Sequence, residues 1–340
     1  MGMMMNPDHT DVAIIGAGPI GLELAVALKR EGIDYLQVEA SSIGTTIAWY
    51  PLQMLFHSNA ERLSIAGVPI QTADQQKPTR EEYLAYLRSV VLQFDLKIRS
   101  HERVEQIDRR GAGFRLRTSR GTIDANRIVL AIGAMHRPRL LGIPGEELPH
   151  VSHYFHEPHP YFGRKLLIVG GKNSAVETAI RCQRAGAEVT LSYRGADFDP
   201  AHVKFWLLPE LRSMVRDQRV RVLPGTTPTE IRERSVLLST GSELQEIDAD
   251  AVLLMTGYEQ DPTLLHLAGV TLQGEAQAPV YDETTMETDV PGVFIAGTAI
   301  AGSPVGKVRV IVETCHVHVP RIVAALTGRR VVVAGGAVDQ

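Results

Sequence analysis

Three glycines near the amino terminus have the spacing of a phosphate-binding turn. Gly16, Gly18 and Gly21 form a Gly-x-Gly-x-x-Gly pattern directly after the apolar run 12–15, and Glu39 ends the next strand-like segment. In such a turn the first glycine permits a tight bend, the second lets the backbone approach a pyrophosphate, and the third lets helix and strand pack closely. The acid can accept hydrogen bonds from a ribose. The pattern predicts that this part of the chain binds a dinucleotide.

A second glycine-rich turn lies in the middle of the chain, at a constant offset from the first. A strand-like run over 165–169 leads into it, and the helix that follows ends at Gly186, as the first helix ends at Gly32. The turn consists of Gly170, Gly171, Lys172, Asn173 and Ser174. Lys172 stands where the first turn has its middle glycine, and its charge is suited to neutralising a phosphate. The internal repeat predicts a second dinucleotide site.

The two copies differ at the end of their second strand, where a ribose is recognised. Glu39 aligns with Tyr193, and Arg194 follows it. An acid suits free ribose hydroxyls, whereas an arginine suits a 2′-phosphate. The alternative for Arg194 is a solvated surface residue. We therefore expect the second site to prefer NADPH to NADH.

The segments that must position these turns alternate between buried strands and amphipathic helices, the pattern of a doubly wound α/β fold. Two further apolar runs end just before Gly133 and Gly257, as buried parallel strands that end beside a ligand do. We expect two Rossmann-like dinucleotide-binding domains, with the second domain inserted into the first. The predicted boundaries are 1–148 and 270–340 for the first domain and 149–269 for the second.

Three helices and one long loop complete this expectation. Thr79 is a predicted N-cap for a helix that continues to Phe94. The segment 200–215 is expected to be helical with breaks, and a closing helix is expected over 305–326. The stretch Ser41 to Lys77 has no clear period. Loops of this length are commonly functional, so the stretch is either a structural excursion over the core or a cover over a cofactor ring.

Composition and cysteine content exclude several classes of function. With 340 residues and a net charge of −4, the chain gives no reason to expect nucleic acid or a membrane as a partner. The first nine residues resemble no secretory signal, so a cytoplasmic location is expected. Cys182 and Cys315 form no Cys-x-x-Cys pair, which excludes a built-in redox dithiol and a cysteine zinc site. No Gly-x-Ser-x-Gly nucleophile turn supports a hydrolase.

The histidines raise the alternative of a metal site. Four of them recur at every third position: His150, His153, His156 and His159. Pro158 and Pro160 argue against a regular helix through them, so we prefer a hydrogen-bonded linker and expect no metal. His316 and His318, beside Cys315, do not share a helix face and are expected to serve packing or the surface.

These features together resemble the flavoproteins with two dinucleotide-binding domains, to which thioredoxin reductases belong. The first turn with Glu39 resembles their FAD adenylate signature, and the run 293–297 resembles their third FAD motif, with Thr298 where an acid is usual. The resemblance implies FAD contacts at Gly16, Gly18, Pro19, Gly21, Glu39, Ala40, Val104, Gly133, Gly297 and Thr298. It implies NADPH contacts at Gly170, Gly171, Lys172, Asn173, Ser174, Arg194 and Gly257.

A closer resemblance, over nearly the whole chain, is to the bacillithiol-disulfide reductases of the YpdA type. It is carried by the stretches 153–155, 159–162, 168–174, 193–195, 255–258 and 283–288. Lys172 is usual in that family, whose members use NADPH to reduce FAD and pass electrons to a low-molecular-weight disulfide. The family's first glycine motif contains a cysteine thought to relay those electrons, and Ile20 stands in its place here. The catalytic residues are therefore not assigned from the sequence.

The resemblance implies hydride transfer from nicotinamide to flavin, a reaction whose chemistry the cofactor carries. The acceptor stays open between a low-molecular-weight disulfide, oxygen as in flavin monooxygenases, and a small redox protein such as ferredoxin. A non-catalytic redox-sensing flavoprotein is a further alternative. The expected partner is thus a small molecule or small redox protein, and relatives suggest a homo-oligomer.

Overall fold

Two units, each built on a mainly parallel sheet, make up the chain. The computed structural model describes residues 7–73, 75–241, 243–303 and 310–329. Unit 1 contains Met1–Ala48, Gln53–Arg137 and Glu259–Gln340, and unit 2 contains Trp49–Leu52 and Pro138–Tyr258. The sequence predicts that the chain passes between the domains at 148/149 and 269/270. The two units divide at 137/138 and 258/259. The outgoing and returning chain pair with each other there, as strands Arg137–Pro138 and Tyr258–Glu259.

The described residues form nineteen strands and nine α-helices. The strands are β1 (Asp8–Ile15), β2 (Tyr35–Val38), β3 (Ile98–Arg99), β4 (Val104–Arg110), β5 (Gly113–Thr118), β6 (Thr122–Leu130), β7 (Arg137–Pro138), β8 (Val151–Ser152), β9 (Lys165–Val169), β10 (Glu188–Tyr193), β11 (Val220–Pro224), β12 (Thr227–Ile231), β13 (Ser235–Ser239), β14 (Leu244–Asp248), β15 (Ala251–Leu254), β16 (Tyr258–Glu259), β17 (Leu272–Gln273), β18 (Ala278–Pro279) and β19 (Val293–Ile295). The α-helices are α1 (Pro19–Glu31), α2 (Thr45–Ala48), α3 (Ala60–Leu63), α4 (Arg80–Gln93), α5 (Asn173–Arg184), α6 (Leu207–Arg216), α7 (Thr263–Leu267), α8 (Val312–Cys315) and α9 (His318–Thr327). Short 3-10 helices lie at His159–Tyr161 and Gly297–Ala301.

The sheet of unit 1 brings the ends of four parallel strands to one edge. Its order is β3–β2–β1–β6–β5–β4, and β19 pairs with the carboxyl half of β6. Ile15 at the end of β1 is level with Val38 of β2 and with Leu130 of β6, and Leu130 is level with Ile295 of β19. The residues that follow these strand ends therefore share the carboxyl edge, where α/β proteins bind their ligands.

The caps of two helices in unit 1 agree with the sequence. Helix α1 has Pro19 at its first position, where the missing N–H costs nothing, and ends at Gly32 in the left-handed conformation, with φ 69°. Helix α4 begins after Thr79, which forms a capping box with Glu82. The predicted N-cap is thus confirmed.

Unit 2 contains a five-stranded parallel sheet in the order β11–β10–β9–β15–β8 and an antiparallel meander, β12–β13–β14. Val169 at the end of β9 is level with Ser192 of β10 and with Leu254 of β15. The turn after β9, the residues after β10 and those after β15 consequently leave the sheet at one edge, with β9 between the other two strands. The two sheets confirm the α/β fold class.

Two predicted helices are wrong in their extent, and proline explains both. Helix α6 begins at Leu207 because Pro209, which lacks an N–H, is tolerated only in a first turn. Of the helix expected over 305–326, residues 305–309 lie outside the described residues. The described part forms α8 and α9 instead of one helix, and Pro320 lies in the first turn of α9.

The long loop from Ser41 to Lys77 is partly helical and divides between the units. Helices α2 and α3 belong to unit 1, whereas Trp49–Leu52 belongs to unit 2. Within unit 2, the N–H of Leu52 donates to the oxygen of His156 at 2.8 Å, and its carbonyl accepts from Arg181 at 2.6 Å. The ring of Trp49 meets that of Tyr154 edge-on. The role of the loop toward a cofactor stays a prediction.

The histidine-rich segment forms no α-helix: it contains the short strand β8, and its last histidine begins the 3-10 helix His159–Tyr161. Among the residues described, no group of three or more His, Cys, Asp or Glu side chains could hold a metal ion. In the same ranges, every helix is too short or too polar to cross a membrane.

Candidate functional site

In unit 1, the first glycine turn packs so closely against neighbouring backbone atoms that two of its glycines have no room for a Cβ. Gly16 has φ 110°, and a Cβ there would collide with the carbonyl oxygen of Ala131. A Cβ at Gly21 would collide with the oxygen of Gly16 itself, whereas nothing lies within 4 Å of one at Gly18. Gly16 and Gly21 thus hold β1, α1 and the end of β6 together. Gly18 leaves open space at the amino end of α1, whose N–H groups attract phosphate.

Glu39 is oriented toward this turn by two backbone donors. Its Oε2 accepts from the N–H of Ala17 at 2.8 Å, and its Oε1 accepts from the N–H of Ser41 at 2.9 Å. A carboxylate has about four lone-pair positions, so acceptor capacity remains for a ribose. Buried Gln37, which the sequence reading missed, donates to the oxygen of Gly16 at 2.9 Å and fixes the turn from β2.

The ends of β6 and β19 adjoin each other and the first turn. Gly133 has φ 78°, and a Cβ there would lie 3.8 Å from Oγ1 of Thr298. Gly297 has φ 70°, and its Cβ would lie 3.4 Å from Cβ of Ile20. The structure therefore brings Gly133, Gly297 and Thr298 to the carboxyl edge together with the glycine turn.

The other residues assigned to this site from the sequence lie around the same edge. Pro19 begins α1, and Ala40 is exposed directly after Glu39. Val104 begins β4 and is buried in one hydrophobic cluster with Ile15 and Val38, the last residues of β1 and β2. Its side chain is thus part of the core beneath the edge.

Two buried side chains bond to the backbone at and around the third motif, and neither has a recognisable signal in the sequence. Gln260 donates from Nε2 to the carbonyl oxygens of Gly133, at 2.9 Å, and Ala299, at 3.0 Å. His318 accepts at Nδ1 from the N–H of Gly297 at 3.1 Å. Burial lowers the pKa of His318 to about 4, with smaller contributions from nearby positive groups. The imidazole is therefore neutral at neutral pH, as an acceptor at Nδ1 must be.

Neither cysteine is placed for redox chemistry. Cys182 and Cys315 are both free and buried, and burial raises the pKa of each thiol to about 12. Because the thiolate is the reactive form, both are inert near neutral pH. Ile20, where the resembling family has its relay cysteine, is 4% exposed and packs at Gly297.

In unit 2, the second glycine turn is closed by a strand end and an aromatic ring. A Cβ at Gly170, which has φ 146°, would lie 2.6 Å from the oxygen of Met255. A Cβ at Gly171 would collide with the ring of Tyr193, which stacks on Phe198 with centroids 5.2 Å apart. The ring of Tyr193, the last residue of β10, therefore leaves room only for glycine at position 171.

The remaining residues of this turn start helix α5. Lys172 is its N-cap residue, with extended backbone and no side-chain capping bond, and Asn173 is its first residue. Oδ1 of Asn173 accepts from the N–H of Lys204 at 2.8 Å, so this side chain anchors the segment before α6. Ser174 is exposed in the first turn of the helix.

Positive charge collects at this edge of unit 2. Burial lowers the pKa of Lys172, and the charges of Arg139 and Arg194 lower it further. Like charges that disfavour one another are stabilised by a bound anion. Gly257, with φ 97°, leaves open space at the end of β15, because nothing lies within 4 Å of a Cβ there. The donor set and the space fit a phosphorylated nucleotide.

The protein contains two βαβ units with a glycine turn, which define two dinucleotide-binding folds. The second strand of one unit is followed by an acid, and that of the other ends beside cations. The site residues fit two different nucleotides. The chain belongs to the pyridine nucleotide-disulphide oxidoreductase family, whose profile matches residues 13–297.

Individual relatives extend over nearly the whole chain. Bacilliredoxin reductase Bdr of Bacillus subtilis (strain 168) is 37% identical over 318 residues, which cover 93% of this chain and 97% of the relative. The structure of bacillithiol disulfide reductase Bdr (YpdA) from Bacillus cereus matches with a TM-score of 0.90 and 36% identity, over 94% of this chain and 99% of the other. A ferredoxin–NADP reductase of Thermus thermophilus is 30% identical over 313 residues, 87% of this chain and 86% of the relative.

These comparisons confirm the resemblance and the class of enzyme. The chain is an oxidoreductase of the Bdr type, and FAD and NADPH are its cofactors. The chemistry that FAD supplies is reversible storage of an electron pair.

Proposed function

We propose that this enzyme oxidises NADPH and reduces a low-molecular-weight disulfide, with FAD bound in unit 1 and NADPH bound in unit 2. The observation that carries the assignment of cofactors is the opposite charge at the end of the second strand of each unit. Glu39 is held by two backbone N–H groups at the end of β2, and Arg194 follows β10 near Lys172. An acid accepts from free ribose hydroxyls, and a cation pairs with the 2′-phosphate that distinguishes NADPH.

Each nucleotide has a defined set of proposed contacts. For FAD these are Gly16, Gly18, Pro19, Gly21, Glu39, Ala40, Val104, Gly133, Gly297 and Thr298. For NADPH they are Gly170, Gly171, Lys172, Asn173, Ser174, Arg194 and Gly257. In both sets the turn and the amino end of a helix receive the pyrophosphate, and the residue after the second strand selects the ribose.

The proposed acceptor follows from the relatives. Bdr of Bacillus cereus is named a bacillithiol disulfide reductase, and its structure matches nearly the whole chain. In the proposed reaction, the hydride of NADPH supplies two electrons, and solvent supplies a proton. The disulfide bond breaks, both sulfurs become thiols, and NADP⁺ is released. Cys182 and Cys315 are buried with raised pKa values, so the protein contributes no thiol relay from these positions.

One observation favours a second acceptor, a small iron–sulfur protein such as ferredoxin. Ile20 gives the first turn an apolar side chain that cannot exchange with a disulfide. A ferredoxin accepts electrons singly and needs no thiol, and a relative at 30% identity is named a ferredoxin–NADP reductase. We place this reaction second because the Bdr relatives are more similar in sequence.

An acceptor comparison tests the proposal. The FAD-loaded enzyme is reduced with NADPH without oxygen and mixed separately with oxidised bacillithiol, oxidised glutathione, oxidised ferredoxin and oxygen. We expect bacillithiol disulfide to reoxidise the flavin fastest and to yield two thiols for each NADPH. Reoxidation by ferredoxin alone contradicts the disulfide assignment. A long-lived oxygenated flavin indicates monooxygenase chemistry, and absence of reduction by NADPH indicates a non-catalytic flavoprotein.

The compartment and assembly are part of the same proposal. Two free, buried cysteines suit a reducing cytoplasm. A homo-oligomer is expected, and light scattering of the FAD-loaded protein measures its state.

A further inference from the structure

Arg139 lies at the carboxyl edge of unit 2, although it is distant in sequence from the glycine turn. Its N–H donates to the carbonyl oxygen of Gly257 at 2.9 Å, and its own carbonyl accepts from Oγ1 of Thr256 at 2.7 Å. Both bonds use backbone atoms of Arg139, so a substitution of its side chain leaves the Cα beside the end of β15. The position is therefore fixed by the fold.

The order of the strands places Arg139 and Arg194 on opposite sides of the turn. Strand β9, which leads into the turn, lies between β10 and β15. Arg194 follows β10, whereas Arg139 is bonded to the residues after β15. Neighbouring strands lie about 4.8 Å apart, so the ends of β10 and β15 lie about 10 Å apart, with the end of β9 and its glycine turn between them.

The crevice between β9 and β15 is the switch point of this sheet. Helix α5 leads from β9 to β10 on one side, whereas β15 pairs with β9 on the other. Open parallel sheets bind their ligands at such a point. The 2′-phosphate is recognised at the end of the second strand, here β10, so the cofactor extends from there across the turn toward β15.

The backbone bonds of Arg139 to Thr256 and Gly257 place its charge at the same edge of the sheet as the glycine turn. Burial lowers the pKa of the Lys172 amine, and the charges of Arg139 and Arg194 lower it further. Arg139 is partly buried, whereas Arg194 is exposed. A guanidinium in this position presents several donors to phosphate oxygens.

We infer that Arg139 binds the pyrophosphate of the nicotinamide dinucleotide, on the nicotinamide side of the turn, and that Arg194 alone reads the 2′-phosphate. The inference rests on the proposed binding of NADPH to unit 2. Arg139 then contributes affinity for any nicotinamide dinucleotide, whereas Arg194 determines the choice between NADPH and NADH.

Binding to the FAD-loaded enzyme tests this division by calorimetry with NADP⁺, NAD⁺ and 2′,5′-ADP. We expect Arg139→Gln to weaken NADP⁺ and NAD⁺ alike, each about tenfold, the equivalent of one charge-assisted hydrogen bond, and 2′,5′-ADP by less. Arg194→Ala should weaken NADP⁺ and 2′,5′-ADP about tenfold and leave NAD⁺ unchanged. Arg139→Lys should recover part of the lost affinity because it restores the charge.

Arg234→Gln is the matched control, because Arg234 is an exposed arginine in the meander of unit 2. If Arg139→Gln leaves all affinities unchanged while Arg194→Ala alters the ratio of NADP⁺ to NAD⁺ affinity, only the proposed role of Arg139 is overturned. A loss in Arg139→Gln confined to NADP⁺ and 2′,5′-ADP also overturns it, because Arg139 then reads the 2′-phosphate. Unchanged affinities in both variants overturn the proposed NADPH site itself. Circular dichroism of each variant separates these results from loss of folding.

Discussion

Replacing Glu39 by alanine tests how unit 1 holds FAD. In the protein the carboxylate accepts from Ala17 at 2.8 Å and from Ser41 at 2.9 Å, which leaves two of its lone-pair positions for ribose hydroxyls. A hydrogen bond to a charged group contributes about 1.5–3 kcal/mol. Because Glu39 is half-buried, the lower value applies, and two lost ribose bonds amount to about 3 kcal/mol, or about 100-fold in affinity.

The assay is titration of FAD into flavin-free protein, with the dissociation constant read from flavin fluorescence. The flavin-free variant should also unfold more readily, because the N–H groups of Ala17 and Ser41 lose their acceptor. Glu105→Ala is the matched control, since Glu105 is an exposed acid on β4 of the same unit. Affinity for FAD within threefold of the parent in Glu39→Ala would falsify the assignment of this carboxylate to the ribose.

Three further predictions follow from single contacts. Gly171→Ala places a methyl group against the ring of Tyr193, so it should weaken NADP⁺ binding and leave FAD content unchanged; equal loss of both points to general misfolding instead. Cys182 and Cys315, with thiol pKa values of about 12, should not react with a thiol reagent at pH 8 until the protein is unfolded, and rapid labelling of the native protein contradicts their burial. The pKa of His318 is about 4 in the folded protein and about 6.5 in the unfolded chain. Between pH 4 and 6.5 the unfolded chain therefore binds more protons than the folded protein. The free energy of unfolding should fall by up to about 3 kcal/mol as pH drops from 6.5 to 4, and His318→Gln should reduce this dependence in denaturant titrations; an unchanged profile refutes it.

The sequence predicts the parts of the site that depend on local chain geometry. Gly16, Gly18 and Gly21 mark a turn between neighbouring elements, and Gly32 and Thr79 mark helix ends, so spacing along the chain identifies them. The repeated turn of unit 2 is found by the same logic. Local rules therefore give the α/β class and the two glycine turns, and they predict that one unit is inserted into the other.

The parts that the sequence did not show depend on contacts between distant residues. Gln260 reaches Gly133, and His318 reaches Gly297, through side-chain bonds that have no local signature. Arg139 reaches the carboxyl edge of unit 2 only because it bonds to the residues after β15, which pairs with β9. Spacing cannot reveal such neighbours, since they follow from the order of strands in the folded sheet.

The central claim is that electrons pass from NADPH through FAD to the acceptor without a cysteine of this protein. The most direct measurement is the rate at which the Cys182→Ala/Cys315→Ala variant, loaded with FAD, reduces bacillithiol disulfide with NADPH. Both thiols are buried and inert at neutral pH, so the variant should turn over at a rate close to that of the parent enzyme. Loss of disulfide reduction in a folded variant whose flavin is still reduced by NADPH contradicts the claim.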